Sequence, residues 1–181
     1  MNAAVAPKSH TVNSHVTSII DGEGVKLGAK GTDIPVINPT NEETISQLRE
    51  ADAGEVDRAV KAARRAFDSG PWPHMDINDR KDILYSIRDH LRKHSEELAY
   101  LECLNVGLPL QSVRGHVQRM ARNFEFFAEV ASNVHGETYT QTKGYLTYVT
   151  REPKGVAALI APWNAPLALA SLLIAAAPSR P

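Results

Sequence analysis

Residues 155–170 read GVAALIAPWNAPLALA, an apolar segment that contains two prolines. Its first seven residues form a continuous apolar run, which is typical of a strand buried on both faces of a parallel sheet. Pro162 and Pro166 then restrict the backbone of the next loop, and the apolar residues that follow predict a helix over 166–177. A strand, a rigid loop and a helix in this order predict the opening of an α/β unit. The loop of such a unit lies at the edge of the sheet where ligands bind.

Asn164 lies between the two prolines, and its side-chain amide carries two N–H donors. A donor held rigidly at the edge of a pocket suits an oxyanion site, where one such donor is worth about 3–4 kcal/mol of transition-state stabilisation. Asparagine is also common as a helix cap or in an Asx turn. The spacing alone leaves both roles open and favours the structural one.

The composition is that of a globular protein, with 43% apolar and 23% charged residues among 181. The net charge of −1 argues against nucleic-acid and membrane-surface partners, which select basic patches. One cysteine, Cys103, excludes an internal disulfide and fits a reducing compartment. The prolines interrupt the apolar run too early for a membrane span, and the N-terminus lacks the apolar core of a secretory signal. We therefore expect a cytoplasmic protein.

The residues before the helices read as a tail and short strands. Residues 1–15 are predicted to form a mobile tail. Asp21–Gly22 lies between two β-prone stretches and predicts a hairpin. The Asn38–Pro39–Thr40–Asn41 turn is followed by a predicted strand over 44–48.

Four helices are predicted next. Asp52 and Glu55 have the spacing of a capping box at the start of the first, and Gly70 ends it. The third covers Glu96 to Leu104 and stops near Gly107, and the fourth begins at Pro109. Apolar residues at helical spacing mark the buried faces: Val56, Ala59, Val60, Ala63 and Phe67 in the first helix, Ile83, Leu84, Ile87 and Leu91 in the second, and Val113, Val117, Met120, Phe124, Phe127 or Ala128, and Ala131 in the fourth.

Residues 138–150 return to Thr- and Tyr-rich strand chemistry. They predict two strands joined by a tight turn at Lys143–Gly144.

Five stretches carry motifs that occur together in one enzyme family. REPKGVAALIAPWNAPLALA (151–170) resembles the pattern Glu-Pro-x-Gly-Val-x-x-x-Ile-x-Pro-Trp-Asn-x-Pro-Leu. The upstream stretches match in the same order: VINPTNEETI (36–45), EVDRAVKAARRAFDSGPW (55–72), LECLNVGLPL (101–110) and NFEFFAEVASNVHGETY (123–139). Over about residues 16–174 the chain therefore resembles NAD(P)-dependent aldehyde dehydrogenases. NFEFFAEV is similar to the branch that acts on hydroxymuconic semialdehyde and to betaine-aldehyde dehydrogenases.

The resemblance implies an α/β fold class, namely the start of a Rossmann-like cofactor domain that is incomplete in this chain. Residues 16–137 would form its N-terminal hairpins and helical cluster. Residues 138–150 would form a two-stranded arm through which identical subunits associate. Residues 151–181 would form the first strand, loop and helix of the parallel sheet, truncated where the chain departs from the family pattern and reads PSRP.

The resemblance also implies an oxidoreductase. It would oxidise a small-molecule aldehyde to a carboxylic acid with NAD or NADP, through a cysteine thiohemiacetal and without a metal. The catalytic oxyanion-hole amide would be Asn164, and the cofactor path would be lined by Ile160, Ala161, Pro162 and Trp163.

The family's nucleophilic cysteine and glutamate base lie downstream of the matched region, so we expect the isolated chain to be inactive. Cys103 lies in a predicted helix and is interpreted as a core or boundary residue. The alternative function is a non-catalytic subunit that co-assembles with full-length aldehyde dehydrogenase through residues 138–150.

The remaining titratable residues predict no further site. The seven histidines show no zinc-ligand spacing, and His90 and His94, one helical turn apart, are interpreted as solvated. Glu125 and Glu129 are paired in the same way and are predicted to face water.

A lone parallel strand forms no sheet, and a helix beside it has no sheet face to cover. We therefore expect residues 155–177 to be exposed or poorly packed, and the isolated chain to aggregate.

Overall fold

The computed structural model describes residues 10–26 and 31–178, which form seven short strands and five α-helices. In chain order the elements are β1 (His15–Val16), β2 (Ile19–Ile20), β3 (Glu23–Gly24), β4 (Asp33–Ile37), β5 (Thr44–Arg49), α1 (Ala53–Ser69), a 3-10 turn (Trp72–His74), α2 (Ile77–Lys93), α3 (Ser95–Val106), α4 (Leu110–Ala131), β6 (Glu137–Tyr139), β7 (Thr147–Val149) and α5 (Pro166–Ala176).

The predicted hairpin and turn are confirmed. Strands β2 and β3 pair antiparallel around Asp21 and Gly22, whose φ angles of 56° and 81° give the positive values that a type I′ turn requires. Strands β4 and β5 pair antiparallel across the second turn, where Asn38 Oδ1 accepts a hydrogen bond of 2.9 Å from the Thr40 N–H.

The predicted tail divides into two parts. Residues 1–9 lie outside the described residues. Residues 13–15, at the end of the predicted tail, contact the sheet instead. Strand β1, which begins at His15, pairs parallel with β5, and Ser46 Oγ donates a hydrogen bond of 2.7 Å to the Asn13 carbonyl. The mobile-tail prediction is therefore wrong for this end, where backbone donors and acceptors are satisfied by β5.

The core lies between helices, with α4 at its centre. One cluster joins α2, α4 and α5 through Leu84, Leu91, Ala121, Phe124, Ala128 and Ala175. A second joins α3 and α4 through Ala99, Val113 and Val117. The predicted face of α4 is thus the buried one, with Ala121 as an added member and Met120 and Phe127 at its margin.

Helix α1 has the predicted cap but not the predicted burial. Asp52 accepts a hydrogen bond from the Glu55 N–H at 2.8 Å, and Glu55 accepts one from the Asp52 N–H at 3.2 Å, which completes a capping box. Val56 and Val60 remain 54% and 51% exposed. The spacing of the apolar residues predicted the helix correctly. Among the described residues, however, no other element covers the apolar face that contains Val56 and Val60.

Residues 138–150 form a hairpin with a longer loop than predicted. Strands β6 and β7 pair antiparallel from Glu137–Val149 to Tyr139–Thr147, so seven residues connect them. Gly144 alone of the central pair has a positive φ, 87°. The tight-turn prediction is wrong because a lysine such as Lys143 does not readily adopt the left-handed conformation that a two-residue turn needs.

The apolar run 155–161 forms no strand, which corrects the strand prediction. A β-ladder needs a neighbouring backbone, and no other described segment pairs with this one. The expectation of exposure holds at Ile160 and at Leu172 and Ile174 of α5, and it fails for the face of α5 that packs on α4 through Ala168, Ser171 and Ala175. Among the described residues, no helix has both the length and the apolar character needed to cross a bilayer.

Candidate functional site

The loop before α5 places Asn164 at the surface with its amide uncommitted. Helix α5 begins at Pro166, and its N-cap residue, Ala165, provides no side-chain cap. Within the described part of the chain, the Asn164 side chain makes no hydrogen bond, so it forms neither the helix cap nor the Asx turn considered above. Its two N–H donors are therefore available to an external acceptor.

The four residues before Asn164 present apolar surface beside it. Ile160 and Trp163 are 88% and 89% exposed, Pro162 is exposed, and Ala161 is half-buried. Pro162 and Pro166 restrict the backbone at both ends of the loop. The loop therefore carries exposed apolar side chains and, next to them in the chain, the amide donors of Asn164.

A cleft of about 760 Å³ borders the upstream end of this segment. It is lined in part by Lys154, Leu159 and Leu173, so it reaches the residue next to Ile160. The cleft therefore extends along the segment that leads into the Asn164 loop.

Helix α5 is attached to α4 by polar contacts that sequence reasoning missed. Asn123 Nδ2 donates to Ser171 Oγ at 2.9 Å and to the Ala168 carbonyl at 3.3 Å. Ser171 Oγ in turn donates to the Ala168 carbonyl at 2.9 Å. Two features of the sequence could have predicted these contacts. Ser171 is a polar residue inside the apolar stretch 166–177, and Asn123 lies one helical turn from Met120, which belongs to the apolar face of α4.

Cys103 belongs to the helical core and not to the loop. It is half-buried in α3 and packs against the cluster of Ala99, Val113 and Val117. This agrees with its interpretation as a boundary residue.

The charged residues singled out from the sequence have structural partners. Glu125 does not simply face water, which corrects that prediction, because it accepts hydrogen bonds from Arg88 at 3.2 Å and Arg92 at 3.0 Å. Glu129 is exposed as predicted. The position of Glu125 in the sequence of α4 could not predict this pairing, because both arginines lie on another helix, α2.

The histidines likewise have local partners. The His90 and His94 rings are 4.4 Å apart, and His94 Nδ1 lies 3.2 Å from Glu97. His116 Nδ1 lies 2.9 Å from the buried carboxylate of Glu102, a pair that ties α4 to α3. In residues 10–26 and 31–178, no three His, Cys, Asp or Glu side chains are grouped to hold a metal ion.

The resolved pKa shifts also belong to helix surfaces. A hydrogen bond from Arg88 lowers the pKa of the Asp89 carboxyl, and one from Arg114 lowers the pKa of Glu96. Opposite charge and donated hydrogen bonds favour the ionised carboxylate in both cases. The Arg114–Glu96 pair links α4 to α3, the Arg88–Asp89 pair lies within α2, and neither pair lies in the Asn164 loop.

Comparison with known proteins gives a consistent result. The sequence model of the aldehyde dehydrogenase family matches residues 27–178 of this chain. The chain is 42% identical over 155 residues to aldehyde dehydrogenase family 2 member B4, mitochondrial, of Arabidopsis thaliana, covering 85% of this chain and 29% of the relative. It is 38% identical over 147 residues to 2-hydroxymuconic semialdehyde dehydrogenase of Pseudomonas sp. (strain CF600), covering 78% and 30%.

A solved structure agrees with these relatives. The NAD-dependent aldehyde dehydrogenase from Sinorhizobium meliloti superposes with a TM-score of 0.86 at 34% identity, covering 97% of this chain and 36% of that one. The chain thus spans about a third of the length of the relatives that it matches. On the family match over residues 27–178, this chain belongs to the aldehyde dehydrogenase family.

Proposed function

We propose that this chain supplies part of the active site of an enzyme that oxidises an aldehyde to a carboxylic acid with NAD or NADP. The observation that carries the proposal is the uncommitted Asn164 amide, held between Pro162 and Pro166 at the start of α5. In this role the two N–H donors stabilise the oxyanion that develops when a nucleophile adds to the aldehyde carbon. Donors that are already oriented need no reorganisation as the charge forms.

The residues before Asn164 fit a nicotinamide cofactor. Ile160 and Trp163 offer exposed apolar surface to a flat ring, and the restricted backbone around Pro162 keeps that surface in place. The bound cofactor would accept the hydride from the substrate carbon. In this proposal Ile160, Ala161, Pro162 and Trp163 bind and orient the ring next to the oxyanion donor.

Residues 1–181 do not complete the reaction by themselves in this proposal. The sequence has one cysteine, Cys103, and its thiol is packed against the α3–α4 core. A thiol nucleophile must be able to reach the substrate carbonyl beside Asn164. Two further properties remain predictions: a location in the cytoplasm, expected from the composition, and a substrate of the semialdehyde or betaine-aldehyde type.

The oxyanion role is tested in a chimera. Residues 16–174 replace the corresponding segment of a full-length NAD-dependent relative, which retains its own nucleophile and base. We expect NAD-dependent aldehyde oxidation, and a roughly 100- to 1,000-fold fall in kcat on Asn164→Ala. The matched control is Asn133→Ala, because the exposed Asn133 side chain donates only to the Glu129 carbonyl at the end of α4. An active chimera in which Asn164→Ala and the control behave alike would refute the role.

The contribution of the chain to cofactor binding is measured directly by calorimetric titration of NAD and NADP into residues 1–181. Absence of binding supports an incomplete site. Saturable binding abolished by Trp163→Ala would mean that this chain builds the cofactor site unaided, and the proposal of incompleteness would be withdrawn.

A second candidate function is a non-catalytic subunit that assembles with full-length aldehyde dehydrogenase. It is favoured by the β6–β7 hairpin, where Tyr145, Leu146 and Tyr148 are exposed large apolar residues. Surfaces of this kind are usually covered by a partner. Co-expression with a differently tagged full-length relative should yield a mixed oligomer that Tyr148→Lys disrupts and Thr142→Lys, in the connecting loop, does not. Recovery of the chain without the relative would contradict this function.

A further inference from the structure

The contact between α4 and α5 includes small apolar residues beside the larger Phe124 of α4. Ala121 and Ala128 of α4 and Ala168 and Ala175 of α5 are buried. Apolar burial is non-directional, and α5 is apolar at every position except Ser171. Packing of this kind distinguishes poorly between one axial position of α5 and another shifted by a helical turn.

Asn123 of α4 and Ser171 of α5 make directional contacts across this interface. Ser171 is 1% exposed, and its hydroxyl accepts from Asn123 Nδ2 and donates to the Ala168 carbonyl, which also accepts from Asn123. The three groups therefore form a closed set of hydrogen bonds with one geometry. A slide of α5 by one turn, about 5.4 Å, would break both hydrogen bonds from Asn123 and leave its amide without these partners in an apolar contact, while the Ser171–Ala168 bond moves with the helix.

The position of α5 determines the position of the Asn164 loop. The Leu169 N–H donates to the Ala165 carbonyl at 3.1 Å, so Ala165 is held by the first turn of the helix. Asn164 precedes Ala165 directly, and Pro166 restricts the backbone between them and the helix. A displacement of α5 along its axis is therefore passed on to the Asn164 amide.

We propose that Asn123, through Ser171, is a positioning residue that fixes the register of α5 on α4 and thereby places the Asn164 amide. The inference rests on the proposed role of Asn164 for its functional meaning. A buried polar contact in an apolar helix interface is a known way to select one register among several. Asn123 and Ser171 are 48 residues apart in sequence, so the contact also links two parts of the chain that local structure does not connect.

The test measures register and stability separately in the 181-residue chain. Spin labels are placed at Arg119→Cys on α4 and Leu172→Cys on α5, both exposed positions, with Cys103→Ala to remove the native thiol. Pulsed electron spin resonance then gives the distribution of label distances. The parent should show one narrow distance.

The deciding variant is Asn123→Leu combined with Ser171→Ala, which replaces the polar contact by apolar groups. We expect an unchanged or higher melting temperature, because a well-packed apolar pair can replace a buried polar one without loss. We also expect a broadened distance distribution or a second peak displaced by about 5 Å, one helical turn. A merely structural contact would instead lower the melting temperature and leave the distance unchanged.

Two further variants keep the inference falsifiable. Asn133→Leu should leave the distribution unchanged, because the exposed Asn133 side chain donates only to the Glu129 carbonyl at the end of α4. If the double variant does not fold, Ser171→Ala alone retains the Asn123 bond to the Ala168 carbonyl and should give a smaller broadening. A single parental distance in every folded variant would overturn the inference. Because the distance is read without substrate or cofactor, this result is independent of whether Asn164→Ala impairs the chimera.

Discussion

Gly107→Ala tests the junction between α3 and α4, where the structure makes two separate demands on one residue. Gly107 ends α3 in the left-handed region, with φ of 76°, and its N–H donates to the Cys103 carbonyl at 2.9 Å. A Cβ at this position would lie 2.7 Å from Pro39 Cγ in the turn between β4 and β5. The left-handed conformation costs a non-glycine residue roughly 1–2 kcal/mol, and crowding against a packed ring adds about 1–3 kcal/mol.

The two contributions separate in a double-mutant cycle with Pro39→Ala. Removal of the proline ring relieves the crowding but leaves the backbone cost, so Gly107→Ala should cost about 2–5 kcal/mol in the parent and about 1–2 kcal/mol in the Pro39→Ala background. The coupling free energy is then about 1–3 kcal/mol, as expected for residues in contact. Urea unfolding followed by far-ultraviolet circular dichroism gives each free energy of unfolding.

Gly115→Ala is the matched control. Gly115 lies inside α4, and nothing is within 4 Å of a Cβ built there. Alanine should therefore stabilise the chain by roughly 0.5–1 kcal/mol. Equal costs of Gly107→Ala with and without Pro39 would refute the crowding argument, and a cost in the parent below about 0.5 kcal/mol would refute both parts of the reasoning.

Three other outcomes are expected. Asp52→Ala removes the side-chain half of the α1 capping box and should lower the free energy of unfolding by about 1 kcal/mol in urea titration. Leu84→Ala should cost about 2–5 kcal/mol because Leu84 is fully buried, whereas Leu172→Ala on the exposed side of α5 should cost about 1 kcal/mol or less; equal costs would contradict the assigned core. The hydrogen bond from Arg114 lowers the pKa of Glu96 below its ordinary 4.5, so the stabilisation is complete above pH 4.5 and is lost as the pH falls through the folded pKa. Glu96→Gln should remove that part of the acid dependence of the melting temperature, and an unchanged acid profile would show that the pair is too weakly coupled to matter.

Most predictions that depended on neighbouring residues in the chain were confirmed, and the tight turn at Lys143–Gly144 was the exception. The Asp52–Glu55 cap, the Asp21–Gly22 turn and the end of α3 at Gly107 each satisfy backbone groups within a few residues. Such contacts form wherever the local sequence has the right donor, acceptor or φ angle. They do not depend on what the rest of the fold provides.

Predictions that needed a distant partner were less reliable. Val56 and Val60 have the spacing of a buried face, yet they are exposed because no described element covers them. The run 155–161 has strand composition, but a strand is defined by the backbone beside it. Glu125 was expected in water because its arginine partners are on another helix.

Local sequence accounts for the helices, the Asp52–Glu55 cap, the Asp21–Gly22 turn and, through the motif around Asn164, the kind of chemistry to look for. The tertiary structure alone decided which apolar faces are buried, that Asn164 caps nothing, and that Asn123 and Ser171 join α4 to α5. The physical reason is the range of the interactions. Backbone hydrogen bonds and caps close over three or four residues, whereas burial and cross-helix hydrogen bonds depend on segments that only the folded chain brings together.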